Sequence, residues 1–67
     1  MAEYILIAVL IGGGEIRGPA TAVDCIHAYR LQEIARTKNG RIFAFDDRGE
    51  KRYAAEFRCE KKEVPTS

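Results

Sequence analysis

Tyr4-Ile5-Leu6-Ile7-Ala8-Val9-Leu10-Ile11, followed by Gly12-Gly13-Gly14, decides the fold class of this chain. The run is short, rich in β-branched residues and cut off by glycines, so it reads as a strand and not as a helix. Alternation sends Ile5, Ile7, Val9 and Ile11 to one face and Tyr4, Leu6, Ala8 and Leu10 to the other. Both faces are apolar, and such a strand is normally covered on both sides.

Working outward, residues 12–19 form a turn-rich connection, in which Glu15-Ile16-Arg17 is a candidate short return strand. Thr21 to Thr37 is a predicted helix. Thr21 and Asp24 have the spacing of a capping box, and Asn39-Gly40 supplies a left-handed stop, read at Gly40. Val23, His27, Leu31, Ile34 and Ala35 make the stripe expected to face the sheet. Arg41 to Asp46 and Lys51 to Cys59 read as a hairpin around Asp47-Arg48-Gly49-Glu50. In the last strand Tyr53, Ala55, Phe57 and Cys59 are expected inside, and Arg52, Ala54, Glu56 and Arg58 outside. The predicted fold is α+β: one helix on a small three-stranded, or with Glu15–Gly18 four-stranded, mostly antiparallel sheet in the order β-α-β-β. Residues 1–60 form a single domain and residues 61–67 read as a disordered tail.

Composition narrows the function classes. The chain has 67 residues and a net charge of +1, with 46% hydrophobic and 31% charged residues, which excludes a disordered polyelectrolyte. So small a domain buries only about 60% of its unfolded surface, and folds of this size often lean on a disulfide, a metal or a partner subunit. The near-neutral charge gives no support to a general polyanion binder. The longest apolar run, Ile5–Ile11, falls far short of the about 20 residues of a membrane-spanning helix. The acidic start Met1-Ala2-Glu3 does not fit a secretory leader, so the expectation is a cytoplasmic chain with reduced thiols and no membrane partner.

Each motif that suggests chemistry has a plainer reading. The glycine-rich segment Gly12–Gly18 carries Arg17 and Glu15 where a dinucleotide fingerprint requires glycine, and no Gly-Lys-Ser/Thr follows, so it reads as a turn. Cys25 and His27 point about 200° apart on a helix and make no nucleophile pair. Asp24 and His27 can touch, and His27 is expected half-buried on its stripe. Cys25, His27 and Cys59 lack the close cysteine pair of a structural zinc site. A Cys25–Cys59 disulfide is the alternative to reduced thiols. No catalytic, cofactor or metal residues are assigned.

Arg41, Arg48, Lys51, Arg52 and Arg58 concentrate on the hairpin with Phe43, Phe45 and Tyr53 between them, a pattern compatible with nucleic-acid contact. Asp46, Asp47, Glu50 and Glu56 nearly cancel that charge. On Tyr4–Leu10, Cys25 and Phe57–Cys59 the layout resembles short bacterial proteins with an apolar first strand, one cysteine on the helix and another near the end of the last strand. That likeness implies no function.

The reading is therefore a non-catalytic interaction module that self-associates and binds another protein, in the manner of small phage or mobile-element inhibitors and adaptors. The alternative is a nucleic-acid binder using the hairpin 41–58. If the hairpin strands pair and the helix covers one face, the first strand lies at an edge. A homodimer through Tyr4, Leu6, Ala8 and Leu10 is then expected.

Overall fold

A computed structural model describes residues 2–62. It contains one helix and a four-stranded antiparallel sheet: β1 (Tyr4–Leu10), β2 (Glu15–Ala20), α1 (Ala22–Thr37), β3 (Ile42–Phe45) and β4 (Lys51–Lys61). The return strand thus forms, from Glu15 to Ala20. A tight turn makes it: Gly13 and Gly14 adopt φ of 100° and 86°, and the Leu10 N–H donates to the Gly14 carbonyl at 3.0 Å. Residues with a Cβ rarely reach this region, which is why glycines stand there.

The strand order is β2-β1-β4-β3. β1 is paired on both sides, with β2 and with β4, so it is not the edge strand expected from the sequence. Local sequence signals make β2 optional, and without β2 one side of β1 is bare. β4 continues to Lys61, opposite Tyr4, and the Lys62 N–H donates to the Glu3 carbonyl at 2.8 Å. The first residues of the expected tail are therefore tied to the amino-terminal strand, and residues 63–67 lie outside the described residues.

The two faces of β1 are exchanged relative to the sequence reading. Ala8 and Leu10 belong to the core with Ala28, Ile42, Ala54 and Phe57, and Leu6 packs against it. Ile7 is on the opposite face, in register with Arg17 and Arg58, and is 1% exposed. A bulge explains why β4 departs from its expected alternation. Val9 stands opposite Glu56 but Leu10 opposite Ala54, which leaves Ala55 as the extra residue. Ala54 turns inward in place of Ala55, and Tyr53 lies on the outer face with Phe43, beside which it pairs.

The helix is rotated from the phase its apolar stripe predicts. Cys25 and Ala28 are its buried residues, with Gln32 and Ala35 half-buried, while Val23, His27, Leu31 and Ile34 are exposed. The cause lies in β4. Its partner β3 reaches only from Lys51 to Ala54, so the same side of β4 is open from Ala55 onward. The helix lies along that opening. Gln32 Oε1 accepts from the Phe57 N–H, the Tyr29 hydroxyl accepts from the Cys59 N–H at 2.8 Å, and Cys25 is joined to Cys59. Cys25, Tyr29 and Gln32 are spaced i, i+4, i+7, one helical face. Unpaired strand N–H groups must find acceptors, and satisfying them fixes the rotation.

Candidate functional site

Asp24 is committed to structure. Its N–H donates to Thr21 Oγ1 at 3.2 Å, and its carboxylate accepts from the Thr21 N–H at 2.9 Å, completing the capping box. The bond from the Thr21 backbone, then that from its side chain, holds the carboxyl below its ordinary value of 3.8, with His27 adding a smaller pull in the same direction. A depressed folded-state pKa gives stability that is present above the unfolded value and lost as pH falls through the folded one. Wild type should therefore lose helix stability on acidification below about pH 4 more steeply than Asp24→Asn, which keeps an acceptor but does not titrate. Circular dichroism against pH measures this, and identical acid responses would contradict it. Thr21→Ala should cost about 1 kcal/mol at neutral pH through loss of the cap.

His27, expected half-buried, is exposed, because the helix turns its Cys25–Ala28–Gln32 side to the sheet. It lines a shallow groove with Leu6, Pro19, Ala28 and Leu31. Cys25 and Cys59, expected as reduced thiols, form a disulfide with a Cα–Cα distance of 6.1 Å, inside the usual range. Neither sulfur is then a nucleophile or a metal ligand. Among the described residues no group of three or more His, Cys, Asp or Glu side chains is placed to hold a metal ion. The helix stop is at Asn39, with φ of 57°, rather than at Gly40, which packs against Ala35. Asparagine tolerates this region better than most side chains.

The basic residues of the hairpin separate. Arg41 and Lys51 gather on the outer face: the Arg41 guanidinium lies 5.7 Å from the Tyr53 ring centre, and Lys51 Nζ lies 4.5 Å from that of Phe43. Arg52 is on the opposite face, in register with Ala44, and Arg52 Nη1 stands 3.7 Å from Asp46 Oδ2. Arg58 flanks Ile7 on the outer face, and Arg48 lies in the turn. Phe43 and Phe45 meet edge-on with centres 5.7 Å apart.

Two of the four residues assigned to a dimer interface, Ala8 and Leu10, are used inside the chain. Leu6 packs against the same core, and Tyr4 is half-buried between Ala20 and Lys61. The reason is the exchange of β1 faces. Most of the exposed large apolar side chains lie elsewhere, on the outer side of α1 and on β3. A groove of about 420 Å³ between them is lined by Leu31, Ile34, Ala35, Ile42, Phe43 and Phe57, with Lys38 and Arg41 at its rim. Apolar periodicity hides this groove, because it places Leu31 and Ile34 in the core. Of the described residues, no helix is long and apolar enough to cross a membrane.

No family model matches this chain, and neither a curated protein nor a solved structure matches it.

Proposed function

We propose that the chain is a non-catalytic interaction module, which self-associates and acts by binding another protein. One observation supports this above the rest. Among the described residues nine large apolar side chains are exposed: Ile11, Val23, Ile26, Tyr29, Leu31, Ile34, Phe43, Phe45 and Tyr53. The core has only Ile7, Leu10, Ile42 and Phe57 of comparable size, and otherwise alanines and Cys25. Scattered apolar residues on a surface are ordinary, but Leu31, Ile34 and Phe43 of these nine line one groove, and apolar residues gathered beside a groove mark interaction sites. A partner that covers them adds the burial this small core lacks. The disulfide argues for an oxidising environment, against the cytoplasmic expectation.

Association that contributes to folding makes stability depend on concentration. The thermal midpoint of the oxidised chain should rise by several degrees from the low to the high micromolar range. A midpoint independent of concentration would remove self-association from this reading.

The aromatic and basic cluster of Phe43, Tyr53, Arg41 and Lys51 favours a second reading, stacking of single-stranded nucleic acid on the outer face. Such binding depends steeply on salt. Retention of single-stranded DNA at low salt, lost at moderate salt, supports it, and no retention at low salt ends it.

A further inference from the structure

We propose that two copies of this chain join edge to edge through β3, antiparallel across a two-fold axis, into one continuous sheet. This rests on the self-association reading above and names its surface.

The backbone edges of the sheet differ in how open they are. The outer edge of β2 carries Glu15, Arg17 and Pro19, with Arg17 bound to Glu15 at 2.9 Å; charge and proline are the usual protections of an edge. The free part of β4 is covered by Tyr29, Gln32 and Cys25 of the helix. β3 is Ile42-Phe43-Ala44-Phe45, with no charge and no proline, and it pairs on one side only. Such an edge is a template for another strand.

The hydrogen-bonding groups of β3 also point the right way. The Asp46 N–H donates to the Glu50 carbonyl across the hairpin at 3.0 Å. Backbone groups alternate along an antiparallel strand, so Ala44 and Ile42 also turn theirs toward β4. The N–H and C=O groups of Phe43 and Phe45 therefore point outward, to the open side.

Charge complementarity selects both the partner and the register. A two-fold axis perpendicular to the sheet pairs one residue with itself. Centred on Ala44, it sets Phe43 of each copy against Phe45 of the other, and each pair exchanges both of its hydrogen bonds. The same register brings each Arg41 to the other copy's Asp47. Asp46 already accepts from the Arg48 and Glu50 N–H groups, both at 2.9 Å, and the exposed Asp47 is the carboxylate that this register sets against Arg41. Centring on Phe43 instead would place Arg41 against Phe45, with no charge partner. A strand with a cation before it and an anion after it is complementary to its own antiparallel copy.

The axis keeps both helices on the same side of the joined sheet. Ala44, small and half-buried, stands at the centre of that side. The apolar groove beside β3, with Leu31 and Ile34 on its helix wall, then faces its counterpart. On the outer side the Phe43–Phe45 pairs extend into one aromatic row.

The test is sedimentation velocity of the oxidised full chain at micromolar concentration. Wild type is expected at the mass of two chains. Arg41→Glu sets acid against acid, and Asp47→Arg sets base against base. Each should weaken the dimer about tenfold, and the double variant should return to near wild-type affinity. Arg41 and Asp47 are both exposed, so far-UV circular dichroism should remain native. Phe45→Lys, a charge placed on the edge at a side chain 59% exposed, should abolish the dimer with the fold intact. A dimer indifferent to all of these overturns the β3 interface but leaves self-association standing. A single-chain mass with a native spectrum overturns both.

Discussion

Reduction of the Cys25–Cys59 disulfide is expected to lower the thermal midpoint by roughly 12–30 °C. The bridge closes a loop with a sequence separation of 34, and by chain entropy such a closure contributes about 3–4 kcal/mol. Whole domains are stable by only about 5–15 kcal/mol, so the loss is a large share. The structure gives a second reason for a large effect. The helix meets the sheet through Cys25, Ala28 and the half-buried Gln32 and Ala35, and its bulky apolar residues face away. The hydrogen bonds from Phe57 to Gln32 and from Cys59 to Tyr29 depend on the helix staying against β4. Without the bridge, little apolar burial replaces what those contacts lose. Melting with and without reductant, and of the Cys25→Ser/Cys59→Ser double variant, measures this. A midpoint changed by only a degree or two would mean that the remaining packing holds the helix unaided.

Much of the architecture is legible before any coordinates. β-Branched residues ended by glycines announce β1, Asp47-Arg48-Gly49 announces the hairpin, and Thr21 with Asp24 announces the start of the helix. β2 is harder to see because Gly18 and Pro19 are poor strand residues. It exists because β1 offers a pairing edge, a tertiary cause with little local signal. The helix phase is misread for a related reason. Apolar periodicity assigns the stripe Val23–Leu31–Ile34 to the core, yet the side that meets the sheet consists of the small residues Cys25, Ala28 and Ala35 with the polar Gln32. Its signal was the spacing of Cys25, Tyr29 and Gln32, which only matters once β4 is known to outrun β3. A single extra residue at Ala55 then reverses which of its neighbours face inward, and simple alternation has no means of locating a bulge. The candidate surface inherits these misreadings. Periodicity places Leu31 and Ile34 in a core they do not enter, and without β2 the open edge falls on β1 instead of β3. The basic residues were visible as a list, but their division between two faces and a turn follows from register.

Phe57→Ala is expected to cost about 3–5 kcal/mol, enough to leave so small a domain largely unfolded. Phe57 is 8% exposed and, among the described residues, is the one aromatic residue of the core, whose other members are Ala8, Leu10, Ala28, Ile42 and Ala54. Alanines cannot reach into the space its ring occupies, so the cavity would not collapse, and the cost of a core truncation grows with the volume left empty. Its position raises the cost further. Phe57 lines the groove beside β3, the groove beside His27 and the one along Ile16 and Phe45. Removing the ring opens these into one another and admits water beneath the helix. The backbone of the same residue donates to Gln32, so a local shift of β4 also loosens the helix at a second point. Ile26→Ala is the matched control: its side chain is exposed on the far side of the helix, and its removal should change stability by less than about 0.5 kcal/mol. Urea unfolding of both variants, in the oxidised form, reads the difference. If Phe57→Ala and Ile26→Ala unfold at similar denaturant concentrations, Phe57 is not the residue that joins helix to sheet, and the core described above is wrongly centred.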